Sequence, residues 1–214
     1  MNQKNVSSTV IRRLPRYYRY LTSLKDLGIS SISSKELAKR MNITASQVKQ
    51  DFAAFGWHGL QGYGYDVSFL HTEIGRILGL DTVRNMIIIG AGSLGHALAR
   101  HAEFEKKGFK IIGIFDTRSE LVGQKVNDLE IMHFDNIEEF LAHNKVDIAA
   151  LTVPASHAKG VVEYITKLGI KAIWNFVPMK LQTDEDVTIE NIHLIDSLLV
   201  LGYKIKENAN IKDD

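Results

Sequence analysis

The stretch MIIIGAGSLGHAL, residues 86–98, joins an apolar run to the pattern Gly-x-Gly-x-x-Gly. A short apolar run that ends at glycine predicts a buried strand, and the residues after it have helical spacing. In such a unit Gly90 permits a tight turn, Gly92 lets the backbone approach a pyrophosphate, and Gly95 lets the helix pack on the strand. The start of the helix offers free N–H groups to the phosphates. We therefore predict a dinucleotide site at Gly90, Ala91, Gly92, Ser93, Leu94 and Gly95.

A carboxylate follows at the position where a dinucleotide site needs one. Asp116 ends the next apolar run, KIIGIFD, 21 positions after Gly95. A carboxylate there accepts hydrogen bonds from ribose hydroxyls and repels a 2′-phosphate, which favours NAD(H) over NADP(H). Thr117 and Arg118 stand beside it and weaken that preference. The alternative is a glycine-rich turn that binds no ligand.

Strands and helices alternate through the second half of the chain. The expected strands are NMIIIGAG, KIIGIFD, 131–134, VDIAALTVP and KAIWNFVP, and the expected helices are 93–107, 137–143, 155–168 and 194–206. This alternation predicts an α/β fold with a Rossmann-like, doubly wound parallel sheet. The last helix is apolar on much of its surface, so we expect it to pack against a second subunit.

The first 84 residues have a different pattern. Residues 10–27 show helical spacing interrupted by Pro15, and Ser33 with Glu36 forms a capping box before a short helix. The break NIT separates this helix from another at 45–56, which predicts a helix-turn-helix. The glycine-rich stretch GWHGLQGYGYD then predicts two strands with a tight tip, a wing, and residues 67–78 return to helical spacing.

Charge separates the two halves. Residues 1–84 hold 12 Lys and Arg against 6 Asp and Glu, a net charge of +6, whereas the remainder holds 14 against 19, a net charge of −5. A basic module joined to an acidic one predicts a polyanion partner for the first half alone. The alternative is a solvated basic surface.

Several function classes find no support in the composition. The chain has no Cys, which excludes disulfides, cysteine zinc ligands and thiol redox sensing. It has no apolar run of the ~18–20 residues that a bilayer requires and no signal peptide, so we expect a cytoplasmic protein without membrane contact. The histidines of the second half form no recognisable catalytic or metal-binding constellation, and we expect neither catalysis nor a metal.

The second helix of a helix-turn-helix enters the major groove of DNA. The outward-facing residues near its start are Ala45, Ser46, Gln47, Lys49 and Gln50. Contacts with phosphates, which raise affinity without reading sequence, are expected from Arg12, Arg13, Arg16, Lys35, Lys39 and Lys49. The wing tip at 58–62, with Gln61, is expected in the adjacent minor groove. The alternative is a winged helix that contacts protein.

Seven segments together carry a family resemblance: VKQDFAAFG running into GYGYDV, ILGL, GAGSLGHAL, FDTRSELVG, ALTVP and GIKAIWNFVP. In this order they resemble the Rex family of redox-sensing transcriptional repressors. The resemblance implies a homodimer on a palindromic operator, with NADH lowering DNA affinity and NAD⁺ competing for the same site. It implies that the final helix is exchanged between subunits. It also places five residues near the nicotinamide: Val153, Pro154, Asn175, Phe176 and Pro178.

The chain departs from the family pattern at functional positions. Lys49-Gln50 stands where the family's recognition helix usually has Arg-Lys, and Leu60-Gln61 replaces a basic pair in the wing. The family's redox switch joins an Arg, a Tyr and an Asp, and the matching residues are Arg19, His101 and His193. An arginine does not pair with a histidine as it does with a carboxylate. Three outcomes are therefore open: the response of DNA binding to NADH is weakened, inverted or lost. A diverged paralogue is one interpretation.

The resulting hypothesis has three parts: a winged-helix DNA-binding domain at 1–80, a Rossmann NAD(H)-binding domain at 84–192, and a dimerisation helix at 193–208. The chain is then a repressor that senses the ratio of NADH to NAD⁺. One alternative is a small NAD-dependent oxidoreductase with an N-terminal oligomerisation module. Another is a DNA-binding regulator uncoupled from redox state, whose second domain binds a different nucleotide, such as coenzyme A, or serves only for dimerisation.

Overall fold

The computed structural model describes residues 6–184 and 186–210 of the 214-residue chain, and the internal contacts divide it into two units, Met1–Thr82 and Val83–Asp214. The first unit contains helices α1 (Ser8–Asp26), α2 (Ser34–Met41), α3 (Ala45–Ala53) and α4 (Val67–Ile77) and strands β1 (Ser31–Ile32) and β2 (Tyr65–Asp66). Its core is formed by the apolar faces of these helices, with Leu14, Leu37 and Phe52 fully buried.

Local capping explains where the helices of the first unit begin. The hydroxyls of Ser33 and Thr44 accept hydrogen bonds from the backbone N–H groups of Glu36 and Gln47, both at 3.1 Å. These caps satisfy donors that have no partner within the helix. Asn42 lies in the left-handed region with φ 54° and ends α2, which produces the turn between α2 and α3.

Two details of the first unit differ from the prediction. Helix α1 continues through Pro15, because the proline ring lies on its exposed side and only one backbone hydrogen bond is lost. The wing has one strand, β2, and this strand pairs with β1, which precedes α2. Glycines weaken strands, and Leu60 and Gly64 close the tip with reciprocal backbone hydrogen bonds of 2.7 and 2.8 Å.

The second unit is built on a sheet of seven strands. The strands are β3 (Arg84–Ile89), β4 (Phe109–Asp116), β5 (Lys125–Val126), β6 (Leu129–His133), β7 (Ile148–Leu151), β8 (Ala172–Asn175) and β9 (Thr188–Asn191). Their order in the sheet is β5-β6-β4-β3-β7-β8-β9, and all neighbours are parallel except β5 with β6. The sheet is therefore doubly wound, and the chain reverses direction across it between β3 and β7.

Helices of the second unit cover both faces of this sheet. These are α5 (Ser93–Ala99), α6 (Glu103–Lys106), α7 (Ile137–His143) and α8 (Ala155–Lys167), and a further helix, α9 (Leu194–Asn210), follows β9. Alternate residues of β3 pack into two separate cores. Ile87 and Ile89 belong to one core, and Met86 and Ile88 belong to the other. The expected single helix at 93–107 is two helices.

The C-terminal helix has an apolar surface that nothing in the described chain covers. Eight large apolar side chains of α9 are between 51% and 66% exposed: Leu194, Ile195, Leu198, Leu199, Val200, Leu201, Tyr203 and Ile205. Among the described helices, none combines the length and the apolar run that a bilayer crossing needs. An exposed apolar helix of this kind marks an interaction surface.

Candidate functional site

The glycine turn between β3 and α5 has the geometry that its sequence requires. Gly90 has φ 105°, where a side chain is strained, and a Cβ there would lie 2.7 Å from the carbonyl oxygen of Thr152. A Cβ on Gly95 would overlap the carbonyl oxygen of Gly90. Gly92, in contrast, has nothing but its own chain neighbours within 4 Å of where its Cβ would be. Two of the glycines are therefore required by packing, and the space beside Gly92 is open.

Thr152 ties the glycine turn to the neighbouring strand β7. Its hydroxyl lies 2.7 Å from the carbonyl oxygen of Gly90 and 3.1 Å from that of Ile89, and its backbone N–H donates to Ile89 at 2.9 Å. On the other side of β3, the N–H of Gly90 donates to the carbonyl oxygen of Phe115 at 2.8 Å. The turn is thus fixed from both sides by the sheet.

Asp116 lies at the carboxyl end of β4, and its side chain is 7% exposed. The N–H of Ala91 donates to Oδ2 at 2.7 Å, and the N–H of Arg118 donates to Oδ1 at 2.9 Å. The Arg118 guanidinium donates two further hydrogen bonds, from Nε to Oδ1 at 3.0 Å and from Nη2 to Oδ2 at 2.9 Å. Burial by itself raises the pKa of Asp116, but these hydrogen bonds outweigh it and lower the pKa to about 2.

A cleft of about 950 Å³ opens at the carboxyl ends of β3, β4 and β7. This is the point where the strand order reverses, and doubly wound sheets bind their ligands there. Among the predicted residues, seven line the cleft: Gly90, Gly92, Asp116, Thr117, Arg118, Val153 and Pro154. Its walls are mainly apolar around these few polar groups, as in most cofactor sites.

The other predicted cofactor residues lie outside the lining of this cleft. Ala91 is buried in the turn, Ser93 and Leu94 begin α5, and Gly95 is buried within α5. Asn175 is fully buried, and its amide holds the loop after β8 through Val177, Met179 and Asn191. Phe176 packs against Trp174 with ring centroids 4.5 Å apart, and Pro178 is exposed. Contact of residues 175–178 with a nicotinamide remains a prediction.

The cleft also has lining residues that the sequence analysis missed: Ile89, Phe115, Phe134, Thr152, His157, Gly160, Val161 and Tyr164. Phe134 and Tyr164 form an aromatic pair with centroids 5.9 Å apart. Thr152 lies near the carboxyl end of the predicted strand VDIAALTVP, and that position was a usable signal. The aromatic pair had no such signal, because its members come from 30 residues apart.

On the first unit, most of the predicted DNA contacts are exposed. The side chains of Ser46, Lys49 and Gln50 lie on the exposed face of α3, while Val48 and Phe52 face the core. Arg12, Arg16, Lys35, Lys39 and Gln61 are also exposed. An exposed helix face with polar and basic side chains suits the major groove, and their contact with DNA remains a prediction.

Two predicted DNA contacts instead form a network inside the first unit. The Arg13 guanidinium pairs with the carboxylate of Asp51, Nε to Oδ2 at 2.6 Å and Nη2 to Oδ1 at 2.7 Å. Gln47 Nε2 donates to Oδ1 at 2.9 Å, and the Tyr17 hydroxyl donates to Oδ2 at 2.9 Å. Asp51 is fully buried on α3. The Arg13 guanidinium thus faces Asp51, and its contact with a phosphate remains a prediction.

The three residues that match the family's redox switch are all exposed. Arg19 lies on α1, His101 follows α5, and His193 directly precedes α9. The His101 ring contacts Phe104 with centroids 4.7 Å apart. Among the described residues, no group of His, Asp and Glu side chains has the arrangement of a metal site.

Two family models match the chain. Residues 5–53 match a putative DNA-binding protein N-terminus, and residues 81–179 match a CoA binding domain. The chain is 50% identical to the redox-sensing transcriptional repressor Rex of Caldanaerobacter subterraneus subsp. tengcongensis over 97% of this chain and 92% of that protein. It is 47% identical to the Rex repressor of Clostridioides difficile over 97% of this chain and 99% of that protein.

Solved structures give the same result. RSP, a Rex-family repressor, is 46% identical and superposes with a TM-score of 0.91 over 98% of each chain. RSP in complex with beta-NAD⁺ and operator DNA superposes with a TM-score of 0.89 over 98% of this chain and 97% of that one. RSP in complex with beta-NADH superposes with a TM-score of 0.90 over 97% of this chain and 98% of that one. With identity near one half along almost its whole length, the chain belongs to the Rex family of redox-sensing transcriptional repressors.

Proposed function

We propose that this chain represses transcription by binding a palindromic DNA operator and that the ratio of NADH to NAD⁺ controls this binding. One observation carries the proposal: RSP, 46–47% identical along nearly the whole chain, has been crystallised with NADH and with NAD⁺ and operator DNA. The cleft at the glycine turn, with Asp116 at its rim, supports NAD(H) as the ligand of this chain. A ligand controls DNA binding only if it binds the competing arrangements of the protein unequally.

Each part of the chain has a role in this proposal. Residues 1–80 bind DNA through the exposed face of α3, residues 84–192 bind NAD(H), and 193–208 join two copies into a homodimer. A repressor of this kind acts on the chromosome, which places it in the cytoplasm. Arg19, His101 and His193 are the candidates for the switch that couples NAD(H) binding to DNA binding.

The alternatives differ in their support. The match of residues 81–179 to a CoA binding domain favours a regulator that responds to another adenine nucleotide. The relatives are named as transcriptional repressors, which leaves the oxidoreductase hypothesis without support. Since NAD(H) and coenzyme A share an adenosine pyrophosphate, the glycine turn alone does not distinguish them.

Selection of binding sites from a random duplex DNA library tests the proposal. The purified protein is incubated in parallel with NADH, NAD⁺, coenzyme A or no ligand. A palindromic motif that is enriched without ligand or with NAD⁺ and depleted with NADH supports the redox repressor. Enrichment that only coenzyme A changes favours the alternative, and no enrichment in any pool contradicts a DNA-binding role.

A further inference from the structure

The carboxylate of Asp116 has no acceptor position left for a ligand. A carboxylate offers about four lone-pair sites. Oδ1 receives the N–H and Nε of Arg118, and Oδ2 receives the N–H of Ala91 and Nη2 of Arg118. The two hydroxyls of an adenosine ribose therefore reach Asp116 only if two of these four donors leave.

The donors that can leave are those of the guanidinium. The two backbone N–H groups belong to Ala91 in the glycine turn and to Arg118 directly after β4, and backbone groups cannot turn away as a side chain can. The Arg118 side chain is 49% exposed and lines the cleft, so it can turn toward solvent, at the cost of its two hydrogen bonds to Asp116. The pair of guanidinium donors matches the pair of ribose hydroxyls in number, and an NAD(H) ribose must compete with Arg118 for the same two oxygens.

Arg118 competes with the ribose hydroxyls of NAD(H), but it favours the binding of a 2′-phosphate. Asp116 repels it, but the planar fork of an arginine binds phosphate oxygens in a bidentate manner. Arg118 can turn from the carboxylate to the phosphate and neutralise the charge at the same point of the cleft. Thr117 lines the cleft next to it and adds a hydroxyl donor.

We propose that Arg118 sets the dinucleotide selectivity of this chain. It weakens the binding of NAD(H) by occupying Asp116, and it allows NADP(H) to bind by pairing with the 2′-phosphate. The inference rests on the proposed function, because it assumes that the cleft binds the adenosine end of a dinucleotide. It adds that discrimination between NADH and NADPH is narrow in this chain and that one side chain is responsible.

The test compares the dissociation constants of NADH and NADPH for the full-length wild type, Arg118→Ala and Arg118→Met by titration calorimetry. The methionine variant keeps an unbranched apolar stem and guards against a packing artefact. Lys171→Ala is the matched control, because it removes a cation from an exposed ion pair with Asp186 in the same unit but outside the cleft.

Both Arg118 variants are expected to bind NADH more tightly and NADPH more weakly. Their preference for NADH over NADPH should rise at least tenfold above that of the wild type, about 1.4 kcal/mol, while Lys171→Ala leaves it unchanged. A preference that stays within twofold in both variants overturns the role of Arg118 and leaves the proposed function intact. A wild type that binds neither dinucleotide overturns both.

Discussion

Asp51 is a charged residue at the centre of an apolar helix face, and its position shows how one side chain orients a helix. It accepts hydrogen bonds from Arg13 and Tyr17 of α1 and from Gln47 of α3. A buried carboxylate with three such partners fixes the rotation of α3 about its axis relative to α1. The exposed face of α3, which carries Lys49 and Gln50, is therefore held in one orientation within the unit.

Removal of this carboxylate is expected to destabilise the first unit. Asp51→Ala leaves the Arg13 guanidinium, 18% exposed, and the Tyr17 hydroxyl without their partner, which costs about 3 kcal/mol for a buried pair. Urea unfolding measures the free energy. The control is Arg40→Ala, which breaks an exposed pair with Glu36 and should cost under about 1 kcal/mol. Equal losses in the two variants would contradict the importance of the network.

The same network gives an acid dependence of stability. Burial raises the pKa of Asp51, but hydrogen bonds from Arg13, Gln47 and Tyr17 outweigh it and lower the pKa below its usual value. As the pH falls, the unfolded chain is therefore protonated first, and the stabilisation by Asp51 is lost below the ordinary aspartate pKa of about 4.

We expect the wild type to be more stable than Asp51→Asn at pH 7 and this advantage to shrink from about pH 4 downward. Thermal melts of both proteins between pH 7 and pH 3 provide the measurement. The difference between them isolates Asp51 from the other carboxylates, which both proteins share. An advantage that does not change over this range would show that the carboxylate has the same pKa in the folded and unfolded states.

The burial of Asp51 was partly readable from the sequence. Helical spacing puts it next to Val48, Phe52 and Phe55, apolar residues that pack in the core of the first unit. What spacing does not reveal is its partner, because Arg13 lies 38 positions away. Arg13 was consequently assigned to phosphate on the basis of charge alone.

At the scale of elements, the strand–turn–helix unit separates a structural glycine from a ligand-binding one. Gly95→Ala is expected to destabilise the second unit, because its methyl group would overlap the carbonyl oxygen of Gly90. Gly92→Ala has room within the protein and should leave stability unchanged. If Gly92 faces the pyrophosphate, this variant still loses about tenfold or more in NADH affinity. Melting temperatures and NADH titrations of both variants check this, and unchanged NADH affinity in Gly92→Ala would count against the predicted ligand position.

Helix and strand identities followed from local pattern, and the misses have local causes. The helix expected at 93–107 is interrupted near Arg100, where the chain turns before α6 although the residues favour helix. Strand β9 was missed because Thr188–Asn191 is short and mostly exposed at the edge of the sheet. In both cases tertiary contacts outweigh a weak local preference.

At the scale of the whole molecule, the exposed apolar face of α9 requires a partner. Each leucine that becomes buried in an interface contributes about 1.5–3 kcal/mol. The double variant Leu198→Asp, Leu201→Asp is therefore expected to raise the dissociation constant of a homodimer by about a thousandfold or more.

Sedimentation equilibrium at micromolar concentration measures this change. The control is Lys206→Ala, a substitution of a polar residue on the same helix, which should remain dimeric. A wild type that sediments as a monomer would refute the assignment of α9 to a homodimer. A double variant that stays dimeric would place the interface elsewhere.

The division of the chain was predictable because each half has its own periodicity and its own net charge. Those properties belong to the sequence and need no contacts to be seen. For α9 the sequence predicted only that its apolar surface needs a partner. That Phe134 and Tyr164 line the cleft was not predictable at all. Such residues become neighbours through the sheet order, which no local pattern encodes.

The hydrogen bonds of Thr152 to the glycine turn affect how fast a dinucleotide binds and departs. A turn that is already fixed between β3 and β7 does not have to be ordered when a dinucleotide arrives, so little conformational entropy is lost on binding. For a dissociation constant of about 1 µM and an association rate constant of about 10⁶ M⁻¹ s⁻¹, a bound molecule would depart about once per second. A repressor built on this cleft would therefore follow changes in cellular metabolism within seconds, well before new messenger RNA is made.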